Sequence, residues 1–280
     1  MTRTPLARTT IREALDSALI ALTASGVDTP RLDAEVLLAA AMGVDRAIVI
    51  SDPNRALEPG EARTFQDYAR RRARREPVAY ILGRKGFRTI ELDVDRRVLV
   101  PRPETEHLVE AALELPRGAR VVDVGTGSGA VALALKTERP DLEVLATDAS
   151  ADAADVARAN AERLGLDVEV LEGDLLEPVT GALDAVLSNP PYVAEEARPT
   201  LPADITSHEP DIAVFAGGEG LDIVRRLITQ AAATEARLLA LETGMGHSRQ
   251  VAELMRRAGF EETSVTVDLA GIPRIVVGRR

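Results

Sequence analysis

Apolar positions in the first part of the chain recur at helical spacing between recognisable helix starts and stops. Ile11, Leu15, Ala18, Leu19 and Leu22 share one helix face, which Thr10 and Glu13 open as a capping-box pair and Gly26 ends. A second helix starts at Thr29-Pro30, carries Leu32, Val36, Leu37 and Ala40, and closes at Gly43. A third opens at Pro59 and passes Phe65 and Tyr68 into a run of arginines, Arg70 to Arg72 with Arg74 and Arg75, before Glu76-Pro77 breaks it. The period then drops to two. Runs over 89–94 and 98–100 predict a β-hairpin, and Pro101-Arg102-Pro103 makes a rigid exit from it. Beyond a helix over 104–113, apolar runs at 121–124, 144–146, 168–171, 185–187 and 238–241 alternate with helical segments. That alternation predicts an α/β fold with a doubly wound, mainly parallel sheet. Runs over 264–268 and 275–277, separated by Gly271 and Pro273, predict an antiparallel hairpin that finishes it. The expected organisation is a helical module over 1–84, a hairpin linker over 85–103 and an α/β domain over 104–280.

Composition narrows the chemistry. The 280 residues contain no cysteine, which removes disulfides, thiolate nucleophiles and cysteine metal sites together. The apolar runs are short and interrupted by charges, and the opening residues lack a signal-peptide segment, so a cytoplasmic protein with no membrane partner is expected. A net charge of -11 argues against general duplex-DNA binding, which draws its affinity from Lys and Arg on phosphates. The arginine run reads as a solvated helix end, with contact to an RNA or acidic partner as the alternative.

Four candidate ligand-binding turns follow apolar runs. After 121–124 comes Gly125-Thr126-Gly127-Ser128-Gly129 and then a helical segment, the order of strand, glycine loop and helix that receives a nucleotide-like ligand. The G-x-G-x-G spacing, in place of G-x-G-x-x-G, favours S-adenosylmethionine over a dinucleotide. Asp148 ends the next run, placed to accept both hydroxyls of a ribose; Asp174 can meet an adenine amine while Leu175 covers the ring. Asn189-Pro190-Pro191-Tyr192 ends the fourth. The lone pair of a carboxamide or nucleobase amine is delocalised and attacks carbon badly, so the group must be held and polarised. The Asn189 side-chain oxygen and the Pro190 carbonyl can each accept one N–H, the Pro190-Pro191 pair keeps the segment extended, and Tyr192 can stack on the flat group. A plain strand-ending turn competes with this reading for an isolated Pro-Pro pair, and the three preceding turns weigh against it. His107, His208 and His247 are scattered without metal-ligand spacing, so no metal is expected.

With these motifs, and with Val100-Pro101-Arg102-Pro103-Glu104-Thr105-Glu106, the Glu76-Pro77 segment, Glu209-Pro210 and Gly217-Gly218-Glu219-Gly220-Leu221, the chain resembles class I S-adenosylmethionine-dependent methyltransferases. Over nearly its whole length it is most similar to the PrmC/HemK family of peptide chain release factor glutamine methyltransferases. The resemblance implies cofactor contacts at Gly125, Thr126, Gly127, Ser128, Gly129, Asp148, around Leu175 and at Asn189. It also implies that Asn189, Pro190, Pro191 and Tyr192 receive the glutamine of a Gly-Gly-Gln tripeptide, and that the helical module holds the release factor. Some relatives carry an aromatic residue where Leu175 stands. The expected reaction is direct transfer of a sulfonium methyl to the amide nitrogen, with no covalent intermediate and no strong base. Three rivals remain: a nucleobase amino-methyltransferase, a ribosomal protein glutamine methyltransferase, and a non-catalytic S-adenosylmethionine-binding partner of a translation factor.

Overall fold

The computed structural model describes residues 9–268 and 270–280; the opening segment 1–8, from which the absence of a signal peptide is read, lies outside the described residues. The chain divides into two compact units. One runs to Gly83 and takes in Ala203–His208; the other comprises Arg84–Pro202 and Glu209–Arg280.

The first unit contains the helices Ile11–Ala24, Pro30–Met42, Arg46–Ser51, Pro59–Ala73 and Val78–Leu82. The opening capping box is formed: Thr10 Oγ1 accepts from Glu13 N at 3.3 Å, and Thr10 N donates to Glu13 Oε2 at 2.8 Å. Ile11, Leu22, Leu37, Leu38, Val49 and Phe65 fill the core. The second helix is rotated from the expected face. Ala34, Leu37 and Leu38 are buried while Leu32 is exposed, because Asp33 is drawn inward to ionic partners. Its carboxylate accepts from Arg72 Nε at 2.7 Å and from Thr29 Oγ1 at 2.9 Å. Arg72 also reaches Asp204 at 2.9 Å and the Glu76 carbonyl at 3.1 Å. Arg75 pairs with Asp204 and donates to the Gly26 carbonyl. Arg71 donates to both Glu76 oxygens and to the carbonyls of Tyr80 and Ile81. Three arginines of the run are therefore internal ties, a use that neither the solvated-end nor the partner reading anticipates.

In the second unit the hairpin pairs β1 (Arg84–Phe87) with β2 (Ile90–Asp93). The expected partner run at 98–100 is irregular instead, because the chain already turns back at Arg88, whose φ is 48°. That conformation is held by the Arg88 N–H donating to Glu106 at 3.1 Å and its guanidinium pairing with Glu138 at 2.8 Å. Val98 and Val100 remain buried outside any strand. Asn160, fully buried on the helix Ala151–Leu164, accepts from Asp93 N and donates to the carbonyls of Asp93 and Ser128. One amide thus fixes β2 to the glycine loop.

The main sheet comprises β3 (Arg120–Val124), β4 (Glu143–Asp148), β5 (Glu169–Glu172), β6 (Ala185–Ser188), β7 (Leu238–Glu242), β8 (Glu262–Val267) and β9 (Pro273–Arg279). Their order is β5-β4-β3-β6-β7-β9-β8, with β3 to β7 parallel and β9 antiparallel to both neighbours, as the alternation and the closing hairpin predict. Val124 aligns with Thr147 on one side and Ser188 on the other, and Ser188 aligns with Leu241. This register brings the carboxyl ends of the parallel strands level. The chain leaves β3 first to one side and later to the other, and the switch point opens a crevice there.

Replacing Arg72 by Met leaves Asp33 buried without its cation. Arg72→Met is expected to destabilise the first unit by about 3–5 kcal/mol, read as a shift of its urea transition.

Candidate active site

The crevice holds a cavity of about 250 Å³. Its walls come from the glycine loop after β3, the turn after β4, the turn after β5 and the start of the segment after β6. Four strand ends predicted to converge therefore do so: Gly125 to Ser128, Asp148, Asp174, Leu175, Asn189 and Pro191 all line it. Gly129 follows directly and caps the helix Ala130–Glu138.

The loop's shape has identifiable causes. Gly125, Gly127 and Gly129 have φ of 70°, 57° and 85°, a region that glycine enters without steric cost. The N–H groups of Gly125 and Thr126 both donate to the Thr147 carbonyl. Asp123, nearly inaccessible beneath the loop, accepts from Thr126 Oγ1 at 2.7 Å and from Ala132 N at 3.2 Å. Burial pushes its carboxyl up to about 6, against the pull of those two donors. Asp148 accepts from Gly127 N on one oxygen and Ser150 N on the other, each at 2.9 Å. Each oxygen keeps a lone pair for a further donor, the requirement for a ribose diol. Burial raises this carboxyl too, and the two backbone N–H groups lower it. Ser128 Oγ is buried and has no hydrogen-bond partner among the described residues. An unpaired hydroxyl in a glycine loop that lines a cavity is what a polar ligand at that loop would satisfy.

Leu175 sits at φ 53°, buried, with its carbonyl accepting from Thr147 Oγ1 at 2.9 Å. A non-glycine residue held in the left-handed region is a strained position of the kind that clusters at ligand sites. Its neighbour Asp174 lines the cavity but carries its carboxylate to Arg226, a half-exposed ion pair.

Asn189 donates from Nδ2 to Thr105 Oγ1 at 3.1 Å, which leaves Oδ1 as its available acceptor. Pro190 is buried and does not line the cavity. Tyr192 does not line it either: its hydroxyl donates to Glu242 Oε1 at 3.3 Å, and burial, with the Glu242 charge beside it, raises the phenol above its ordinary value. The carbonyl of Tyr192 is closely approached by Gly220, where φ is 75° and a Cβ would collide with that carbonyl. The Gly-rich 217–220 segment is thus shaped around the Asn-Pro-Pro-Tyr turn.

Arg102, which the Pro-Arg-Pro-Glu-Thr-Glu motif marks as shaping the pocket, does so, whereas Thr105 and Glu242 escape motif reading. Arg102 donates to both oxygens of buried Glu209 at 2.8 Å and lines the cavity with Thr105, Pro210 and Phe215. Thr105 stands inside the Pro-Arg-Pro-Glu-Thr-Glu motif, where nothing in its sequence context distinguishes it from its neighbours. Glu242, buried at the end of β7, carries the same signal as Asp148: an acid closing an apolar strand. The three histidines lie elsewhere; His107 binds Glu110, His208 meets the Arg74 carbonyl, and His247 precedes the helix Ser248–Arg257.

A doubly wound sheet with an antiparallel closing strand, a glycine loop after β3 and an acid after β4 defines a class I methyltransferase domain. Residues 103–219 match the methyltransferase small domain, and residues 13–83 match the PrmC N-terminal domain. The chain is 41% identical to the release factor glutamine methyltransferase of Koribacter versatilis, over 97% of this chain and 99% of that one. It is 40% identical to that of Deinococcus radiodurans, over 96% and 98%. The hMettl16 catalytic domain shares the fold at 20% identity and a TM-score of 0.57, covering 67% of this chain and 74% of that one. The chain belongs to the release factor glutamine methyltransferase family.

Asp123 gives the site a pH signature. Its folded value lies above its unfolded one, so folding favours the protonated acid; that contribution is complete below the ordinary value of 3.8 and is lost as pH rises through about 6. Asp123→Asn removes the dependence. In urea titrations the stability of the variant relative to wild type is expected to rise by about 2–2.5 kcal/mol between about pH 4 and pH 7.5.

Proposed function

We infer that this protein transfers the methyl group of S-adenosylmethionine to the side-chain amide nitrogen of the glutamine in the Gly-Gly-Gln tripeptide of bacterial peptide chain release factors. Near-full-length kinship to release factor glutamine methyltransferases supports this, and the observation that carries it is Asn189, whose Oδ1 is free beside the glycine-loop cavity. When bound, S-adenosylmethionine supplies an electrophilic methyl group on a sulfonium.

The protein's own part is binding, orientation and exclusion of water. Gly125 to Gly129 and Ser128 Oγ would hold the polar part of the cofactor, Asp148 would receive its ribose hydroxyls, and Leu175, beside Asp174, would pack on the adenine. Asn189 Oδ1 accepts one N–H of the glutamine amide. The Pro190 carbonyl, which does not line the cavity, would take the other once the substrate seats against the turn, so that the amide plane is fixed with its nitrogen towards the methyl group. Pro191 lines the cavity on the substrate side, while Tyr192, which does not line it, holds the turn through Glu242. The amide nitrogen becomes acidic once alkylated and loses its proton after transfer, so Tyr192, with its raised phenol, is not needed as a base. Alignment of two bound reactants can supply up to about 7–11 kcal/mol of the barrier.

The helical module holds the release factor in this reading. No helix among the described residues is long and apolar enough to cross a membrane, and we place the protein in the cytoplasm with its substrate. The acidic net charge weighs against a role on duplex DNA.

Radiolabelled methyl transfer to a purified release factor is expected, with none to the variant whose Gly-Gly-Gln glutamine is replaced by alanine; label in neither overturns the proposal. Asn189→Ala is expected to lower kcat at least about 100-fold in a folded protein. Asp148→Ala is expected to weaken S-adenosylmethionine binding about tenfold or more, the cost of about one charge-assisted hydrogen bond, with a smaller effect on the bound-state rate; unchanged affinity by calorimetry removes Asp148 from the cofactor site.

A further inference from the structure

Glu242 is a buried acid that the reaction as described does not use. It stands at the carboxyl end of β7, 2% exposed, and no cation is within hydrogen-bond distance of it among the described residues. Two hydroxyls fill its oxygens instead: Thr105 Oγ1 donates to Oε2 at 2.7 Å, and the Tyr192 hydroxyl donates to Oε1 at 3.3 Å. Thr105 in turn accepts from Asn189 Nδ2 at 3.1 Å. Two of these links, Asn189 to Thr105 and Thr105 to Glu242, run as one directed chain from the turn after β6 through Pro103–Thr105 to β7, and the Tyr192 hydroxyl donates into the same carboxylate from the other end of the turn.

The direction of that chain matters more than its length. A side-chain amide has nearly the same shape with its oxygen and nitrogen exchanged, so packing alone does not decide which end faces the substrate. An amine has only N–H bonds to offer an acceptor. If Asn189 presented its NH2 group, donor would meet donor and the substrate would be repelled. The polarity has to come from a group that cannot itself be read both ways. A carboxylate is such a group, being acceptor only. It draws the Thr105 hydroxyl proton to itself, which leaves the Thr105 lone pairs for Asn189. Asn189 must then spend its nitrogen on Thr105, and its oxygen is left for the cavity.

Resting on the assignment of Asn189 as the acceptor of the substrate amide, we propose that Glu242 and Thr105 are positioning residues that set the orientation of the Asn189 amide. Burial raises the Glu242 carboxyl, while the Thr105 and Tyr192 hydroxyls and Arg274 counter that rise. A buried acid costs stability unless its bonds are met. Here the bonds that meet it are those that orient the catalytic turn. Tyr192 meets that chain at the carboxylate, where its hydroxyl satisfies the second Glu242 oxygen and anchors the far end of the Asn-Pro-Pro-Tyr turn.

The test measures single-turnover methyl transfer to a purified release factor, with S-adenosylmethionine affinity determined separately by calorimetry. Thr105→Val keeps the shape and deletes the hydroxyl. It is expected to lower the transfer rate about 100-fold, the cost of a misplaced reacting group, with cofactor affinity changed less than about twofold. Thr105→Ser restores the hydroxyl and is expected to recover most of the rate. Glu242→Gln introduces an amide that can face Thr105 with either its oxygen or its NH2, so it is expected to lose much of the rate, and Glu242→Leu, which leaves Thr105 without an acceptor, at least as much. In an Asn189→Ala background, Thr105→Val is expected to add no further loss, since there is no amide left to orient. A folded Thr105→Val enzyme with the wild-type rate overturns the proposal, as does a full additional loss in the Asn189→Ala background. A wild-type rate in Asn189→Ala alone is a different result: it overturns the assignment of Asn189. Should Thr105→Val not fold, the wild-type protein still decides. Its Asn189 side-chain NH2 is expected to show one proton protected from exchange by nuclear magnetic resonance, and rapid exchange of both protons overturns the proposal.

Discussion

The carboxylate of Asp123 holds the position from which the rest of the site is built. A glycine loop has little intrinsic preference for one shape, and three glycines at positive φ in five residues would leave it slack. Asp123 removes that freedom from below by gathering the Thr126 hydroxyl and the first-turn N–H of Ala132 onto a single oxygen. The adjacent strand removes it from the side, through the Thr147 carbonyl, and Asn160 removes it from above, through the carbonyl of Ser128. Once the loop is fixed, Gly127 N is in place to bind Asp148, and the walls of the cavity follow.

Buried acids recur around this crevice, and each is stabilised differently. Glu209 has a cation, Arg102, on both oxygens. Asp123 and Asp148 rely chiefly on backbone N–H groups and one hydroxyl, and the Asp148 charge adds to the rise at Asp123. Glu242 relies on hydroxyls alone among its direct bonds.

The site is legible in the sequence where chemistry and periodicity coincide. Apolar runs ending in Asp148 and Asn189 announce strand ends that face the cavity, and the parallel order follows from the helices between them. What stays hidden depends on partners distant in sequence. The face of the second helix does not follow from Leu32 and Val36, because Arg72 brings Asp33 inward and Asp204 joins them from far along the chain. The hairpin pairs 84–87 in place of 98–100 because Arg88 accepts a left-handed turn that Glu106 and Glu138 secure. Thr105 and Glu242 are ordinary residues one at a time; only the fold brings them to Asn189.

The Asp204 tie has a consequence for the order in which the chain is made. Domains generally fold as units as they leave the ribosome, the N-terminal one first. Here the first unit is synthesised early with Arg72 provided with only one of its two carboxylates. The second, Asp204, emerges after β3, β4, β5 and β6 have all been translated, on the short helix Ala203–His208. The first unit therefore cannot complete its ionic core during its own synthesis. Its second ion pair can close only once Ala203–His208 has been translated, after the turn that carries Asn189.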